Sequence, residues 1–317
     1  MSLNLHAWQL VEQALRTTGR LRIVARDVEG GGRLIDCGIE APGGIEAGVF
    51  LARLTLADLA SVSVTPSDLG GTPCPRIVVA TDHPIAACMA SQYAGWQISV
   101  GNFFAMGSGP FRALYGKEDL YDDIGHRERT DMAIGCLETR SFPEREVFSY
   151  LADKLRVAPA KISLAVAPTA SLAGSVQVVA RSVETALHKL HAVGFDLGRV
   201  VSGFGSAPLP PPGKDDLASL GRTNDAVLYG ARVNLWVRGD DESLDELGRR
   251  VPSSTSRDYG EPFVETFKRY DRDFYKIDPD LFSPAEITFH NSETGQSHHF
   301  GAQNLEVLRR SFYGAEG

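Results

Sequence analysis

Arg181 and Glu184 stand three residues apart in the stretch APTASLAGSVQVVARSVETALHKL, residues 167–190. A guanidinium and a carboxylate at that spacing can do one of two things. They can form a solvated pair on a helix surface, worth about 0.2–0.5 kcal/mol. They can also form an acid–base device, in which the carboxylate moves a proton and the guanidinium fixes its position. The helix predicted over 175–193 places Val176, Val179, Ala180, Val183, Leu187 and Leu190 in one apolar stripe. Gln177, Arg181, Glu184, His188 and His191 fall in a polar stripe at the same spacing. On spacing alone the solvated pair is the preferred reading. The loop of small residues ahead of the helix, Thr169, Ser171 and Gly174, pulls the other way. It leaves room for a ligand where backbone donors converge on a helix start.

Two further segments carry side chains suited to a ligand. In VGNFFAMGSGP (100–110), Asn102 and Phe104 precede Gly107, Ser108 and Gly109. The glycines would let a ligand approach the backbone and expose N–H donors, and Phe103 and Phe104 would offer a flat apolar wall. The other reading is a tight turn with two core aromatics. The spacing is not that of a dinucleotide loop. In GRTNDAVLYG (221–230), Arg222, Thr223, Asn224 and Asp225 give a mixed donor–acceptor set of the kind a heterocycle needs. It is placed before a strand, with a capped turn as the plain alternative. YDRDFYKIDPDLFSPAE (270–286) mixes aromatics, acids and Lys276, and reads mostly as core. His298 and His299, adjacent on a hairpin, would point to opposite faces and chelate poorly.

The elements that must position these residues read as follows. An amphipathic helix opens the chain, with Leu5, Trp8, Val11, Glu12 and Leu15 at helical spacing. Hairpins are predicted over 21–38 and 285–300, the second turning near Thr294–Gly295. A short helix follows the glycines at 43–44, a buried strand covers 76–82, and a helix ends near Gly95. Strand, helix, strand and helix then alternate from residue 130, the first of those helices opening with Pro143 in its first turn. The four cysteines are widely spaced and read as small core residues of a reduced, cytoplasmic protein. The net charge of −8 argues against nucleic acid or an anionic membrane as partner. No apolar run has the length of a membrane span. No zinc, Walker A, HExxH or GxSxG pattern is present.

IDCGIEAPGGIEAG, AGWQISVGNFFAMGSGPFRAL, APTASLAGSVQVVARSVET, GRTNDAVLYG and DFYKIDPDLFSPA together closely resemble the methenyltetrahydromethanopterin cyclohydrolases, in the family's order and across nearly the whole chain. The resemblance implies a mixed α/β protein of two domains side by side, with a large pocket between them, assembled as a homotrimer. It implies reversible hydrolysis of 5,10-methenyltetrahydromethanopterin to the 5-formyl derivative, with no metal and no redox cofactor. Arg181 and Glu184 match the family's catalytic pair on the helix after the APTAS motif. Asn102, Phe104, Gly107, Ser108, Gly109, Thr169, Ser171, Arg222, Thr223, Asn224 and Asp225 are the expected substrate-binding residues. Tyr93 departs from the pattern, standing where some members carry a basic residue. In a methylotroph the resemblance implies formaldehyde oxidation toward formate, and in a methanogen the opposite sense. Two other classes compete: a non-catalytic pterin-binding protein of the same fold, and a phosphate-transfer enzyme using GSGP as an anion nest. The second lacks a metal-binding carboxylate set and a phosphate lysine. The similar terminal hairpins predict one domain from 1–115 plus 270–317 and a second from 116–269.

Overall fold

The computed structural model describes residues 2–93 and 95–314. The first strands are β1 (Val24–Asp27), β2 (Arg33–Asp36), β3 (Ser61–Thr65), β4 (Asp68–Leu69), β5 (Thr72–Pro73), β6 (Arg76–Thr81) and β7 (Trp96–Val100). After them come β8 (Phe103–Ser108), β9 (Ala133–Glu138), β10 (Ile162–Ala167), β11 (Val200–Pro208), β12 (Arg232–Val237), β13 (Glu286–Asn291) and β14 (Ser297–Gly301). The helices begin with α1 (Leu3–Leu15), α2 (Thr18–Leu21), α3 (Ile45–Thr55), α4 (Phe111–Tyr115), α5 (Leu120–Ile124), α6 (Arg145–Leu155) and α7 (Leu172–Val179). They continue with α8 (Ser182–Ala192), α9 (Asp216–Leu228), α10 (Asp241–Gly248), α11 (Phe263–Arg269) and α12 (Leu305–Tyr313). The chain is thus of the mixed α/β class. Among the described residues no helix is long and apolar enough to cross a membrane.

The chain divides into two units, 1–60 with 85–177 and 61–84 with 178–317. These differ from the boundaries that the terminal hairpins predict. The reason is strand pairing between distant segments. β13 pairs in parallel with β12, which keeps 270–317 with the segment before it. β6 pairs with β11, which draws 61–84 away from the N-terminal block. β10 pairs with both β2 and β9, which joins 116–177 to that block.

In the first unit the sheet order is β1-β2-β10-β9-β8-β7. β2, β10 and β9 run parallel, and β8 is antiparallel to β9. Alternation along the strands sends Ile35, Cys136 and Ala165 to a core with Ala7, Leu10, Val11, Phe50, Leu51 and Leu54 of α1 and α3. Leu34, Leu137, Leu164 and Val166 face the other way, onto Val147, Phe148 and Leu151 of α6. Burial of each such side chain contributes about 1.5–3 kcal/mol. The period expected for α1 is present, but its buried face is turned toward Leu3, Ala7, Leu10 and Ala14, leaving Leu5 exposed. Asn4 explains the turn. It is fully buried, its amide donates to Pro110 O (3.0 Å) and Glu128 (2.9 Å), and its oxygen accepts from Ile134 N (2.9 Å). The segment before Gly95 winds as a π-helix over Ile85–Gln92. Pro143 precedes the cap of α6, rather than lying in its first turn.

In the second unit the order is β14-β13-β12-β11-β6-β3. Ile77, Val79, Ala207, Val233, Leu235, Ile287 and Phe289 are buried. On the opposite face of the same strands, Phe204 and Trp236 are exposed. α8 packs on β11 and β12, while α9 gathers α11 and α12. The β13–β14 turn has Gly295 at φ 74°, at the expected place. All four cysteines are buried thiols outside any disulfide.

Candidate functional site

The helix predicted over 175–193 is two helices. α7 ends at Val179, and Arg181 is the residue that precedes the first turn of α8. Its carbonyl accepts from Thr185 N at 2.8 Å, starting the new helix, while its own N–H reaches back only three residues, to Val178 O. The break follows the point where the chain passes from the first unit to the second. Glu184 therefore occupies the third position of α8, where the unsatisfied N–H groups of a helix start favour a carboxylate. Arg181 is 8% exposed and Glu184 5%. Side chains this deeply buried are not those of a solvated surface pair. His188, one turn further on, has its pKa lowered by burial and by the charges of His191 and Lys189. Lys189 pairs with Asp280.

What lets this turn sit so low is the sequence Gly203-Phe204-Gly205 in β11. A Cβ on Gly203 would lie 2.8 Å from Val183 Cγ1. One on Gly205 would lie 2.8 Å from Val183 Cγ2 and nearer still to Ser182 Oγ. Both glycines point to the same face of the strand, so together they form a shallow seat for the first turn of α8. Ser182 Oγ is buried there, with no hydrogen-bond partner among the described residues. Gly205→Ala should displace that turn. The expected cost is about 1–3 kcal/mol of stability, read by urea unfolding, with a loss of activity larger than the loss of folded protein. Wild-type stability and activity would show that the seat has slack.

The second group lies in the first unit, where β2, β10 and β9 all end at one edge of the sheet. Ligands in α/β sheets gather at such carboxyl ends. After β2, the buried Asp36 carboxylate accepts from four successive backbone N–H groups, of Gly38 (2.9 Å), Ile39 (2.7 Å), Glu40 (2.9 Å) and Ala41 (2.7 Å). After β10, Thr169 Oγ1 donates to Glu138 Oε1, at the end of β9. Ser171 Oγ donates to Pro168 O (2.8 Å) and accepts from Gly174 N (2.9 Å). Because β8 runs against β9, its start lies at this same edge, and Thr139 Oγ1 donates to Phe104 O at 3.1 Å. Asn102 is exposed on the β7–β8 turn just beyond. The structure thus gathers Asn102, Phe104, Thr169 and Ser171. It adds Asp36 and Glu138, which sequence reasoning passed over. The available signal was an acidic residue at the C-terminal end of each of two buried strands.

Gly107, Ser108 and Gly109 are not part of this group. They close the other end of β8, where Gly107 lies about 10 Å along the strand from Phe104 at 3.4 Å per residue. Gly107 and Gly135 make room for the Phe111 ring, and Gly109 N donates to Ser91 O at 2.8 Å. These two glycines serve packing, and the expected exposed N–H nest is absent here. Tyr93 carries the Arg112 guanidinium on its ring at 4.9 Å. A cleft of about 1270 Å³ lies at the opposite, N-terminal ends of β9 and β10, where Lys117, Arg127, Arg129, Lys154 and Arg156 line it with Glu128 and Asp153.

Arg222, Thr223, Asn224 and Asp225 lie in the middle of α9 rather than in a turn before a strand. Arg222 donates to the carbonyls of Pro211, Pro212 and Ser311. Thr223 and Asn224 bond carbonyls of their own helix. Asp225 is buried and accepts from Phe263 N (2.8 Å) and Ser311 Oγ (2.6 Å). Burial pushes its pKa up to about 7 against the pull of those two bonds. Arg222 and Asp225 tie α9 to its neighbours, while Thr223 and Asn224 bond back within it. His298 bonds Asp241 and His299 bonds Thr288, two separate partners. No group of three or more His, Cys, Asp or Glu among the described residues is arranged to hold a metal.

The family described as Cyclohydrolase (MCH) matches residues 2–312. A methenyltetrahydromethanopterin cyclohydrolase of Rhodopirellula baltica is 49% identical over 287 residues, covering 89% of this chain and 86% of the relative. One of Methanococcoides burtonii is 43% identical over 314 residues, 98% of each chain. One of Xanthobacter autotrophicus is 45% identical, covering 96% of this chain and 90% of the relative. The chain therefore belongs to the methenyltetrahydromethanopterin cyclohydrolase family and is a hydrolase.

Proposed function

We propose that this enzyme reversibly hydrolyses 5,10-methenyltetrahydromethanopterin to 5-formyltetrahydromethanopterin, with Glu184 as acid and base. The observation that carries this reading is the burial of Glu184 beside Arg181 in the first turn of α8. The methenyl carbon bridges two nitrogens and shares their positive charge, so it is electrophilic without further activation. Water attacks it, forming a C–O bond, and Glu184 takes the water's proton. The resulting carbinolamine is cleaved at the C–N10 bond. Glu184 returns its proton to N10 and receives the hydroxyl proton as the formyl C=O forms. One proton is released overall. The carbon keeps its oxidation level throughout, so the step calls for no redox cofactor.

Arg181 acts by geometry. A bare guanidinium beside a cationic substrate is repulsive, so its use is to hold the carboxylate and water in line, which can be worth several kcal/mol. Arg181→Lys keeps the charge but loses the planar two-pronged fork. It should lower kcat about 10²-fold with a smaller change in KM. Wild-type kcat in that variant would remove Arg181 from the reaction. The setting proposed is cytoplasmic one-carbon metabolism, including formaldehyde oxidation if the host is methylotrophic, with the enzyme as a homotrimer. Sedimentation tests the trimer. The function itself is tested by loss of the methenyl absorbance with purified protein, tetrahydromethanopterin and tetrahydrofolate substrates side by side. Hydrolysis of the first is expected. Binding without hydrolysis would make the protein a pterin carrier instead.

A further inference from the structure

The upper end of the first unit's sheet carries a combination that packing does not call for. Phe104 is 54% exposed on a sheet face, although it is a large aromatic. Met106, two residues on, pairs directly with Glu138 across β8 and β9. Alternation puts Phe104, Met106 and Glu138 on the same face. Gln97 and Ser99, which pair with Met106 and Phe104 from β7, are exposed beside them. This is the face that α1 and α3 cover on the neighbouring strands, so here a strip of it is left open. Phe104 stands diagonally from Glu138, a step of about 7–8 Å between side-chain origins. A flat ring system stacked on Phe104 would present its edge to the Glu138 carboxylate. Thr169 Oγ1 fixes that carboxylate through Oε1. Each oxygen has more than one acceptor position, so a pair of parallel N–H donors can still be received.

Resting on the function proposed above, we infer that Glu138 reads the 2-amino and N3–H edge of the substrate's pyrimidine ring, while Phe104 stacks on its face. Those two donors are adjacent and parallel, and they match the two oxygens of one carboxylate. Glu138 is thus a specificity residue, separate from proton transfer at Glu184. Thr169 is its positioning residue.

The test uses the full chain, a bare reduced pterin without a one-carbon group (6,7-dimethyltetrahydropterin, kept anaerobic), and the same compound lacking the 2-amino group. Wild-type protein should bind the first about 10–100-fold more tightly than the second, the range for a charged hydrogen bond. Glu138→Gln presents an N–H₂ to two donors. It should weaken the first compound by that factor, lose the discrimination, and raise KM for the methenyl substrate with kcat little changed. Thr169→Val leaves the carboxylate in place but unheld, so a few-fold rise in KM with partial discrimination is expected; this variant also serves if Glu138→Gln folds poorly. Phe104→Ala should weaken both compounds alike. Equal binding of the two pterins by wild type, or retained discrimination in Glu138→Gln, overturns the assignment. If wild type discriminates between the pterins but does not hydrolyse the methenyl compound, the hydrolytic reading fails while this one stands.

Discussion

Glu184→Gln is expected to bind the methenyl substrate and to turn it over about 10²–10⁴-fold more slowly than wild type. The change keeps the shape of the side chain and much of its hydrogen bonding. It removes the one property the mechanism needs, a group that accepts a proton from water and gives it back to N10. Loss of a carboxylate next to a cationic ring should also weaken binding. That effect is shared by ground state and transition state, so it appears in KM and is smaller than the fall in kcat. The fold should survive. A carboxylate at a buried helix start contributes up to about 2 kcal/mol, a shift of several degrees in Tm. The measurement is decay of the methenyl absorbance in single-turnover and steady-state runs, with circular dichroism as the folding control. A folded Glu184→Gln enzyme with wild-type kcat would place the base elsewhere, and the buried Arg181–Glu184 turn would then be a structural device.

The importance of that turn was only half legible. The stretch VVARSVET contains no glycine or proline to mark a helix break, so local signals run α7 and α8 together. Arg181 caps α8 and Glu184 stands at its third position, so the two flank a helix start instead of lying mid-helix as the spacing predicts. Their burial depends on Gly203 and Gly205, which lie about twenty residues further along the chain and meet α8 only after β11 is placed in its sheet. The strands themselves were legible, as short apolar runs in 133–138 and 162–167 and by alternation in 286–291. Their partners were not. Parallel pairing of β12 with β13, and of β10 with β2, joins segments that share no local pattern, and that pairing decides where each unit begins and ends. GSGP drew attention because glycines often expose backbone donors. Here the void left by Gly107 is filled by a ring, and the Gly109 donor by a carbonyl. Glu138 escaped notice for the opposite reason. A single acid at a strand end has no motif, and only the register with Met106 and the contact with Thr169 give it a setting.

Four polar side chains in a row resemble a turn, but Arg222–Asp225 lie within α9. In α9, Thr223 and Asn224 turn back to the carbonyls of Ser219 and Leu220, which allows such residues mid-helix. Asp225 joins α9 to α11 and α12, through Phe263 N and Ser311 Oγ. This gives a prediction with a definite sign. Burial, aided by the charge of Glu265, raises its pKa from 3.8 to about 7, despite the two hydrogen bonds that oppose the rise. The folded protein therefore holds a proton that the unfolded chain has lost in the window between about pH 4 and pH 7. Stability from this group is complete below pH 4, declines as pH rises through the window, and is lost above about pH 7. The full difference is about 4 kcal/mol at 1.36 kcal/mol per pKa unit. Asn mimics the protonated acid, its oxygen accepting from Phe263 N and its amide donating to Ser311 Oγ. Urea unfolding of Asp225→Asn should thus show a stability that gains on wild type steadily from pH 4 to pH 7, with a constant advantage above that. Parallel curves for the two proteins would mean that Asp225 is ionised in the folded state. Because Asp225 is held between helices, KM for the methenyl substrate should be the same in both proteins at pH 6; a large rise in the variant would return Asp225 to the substrate-binding set.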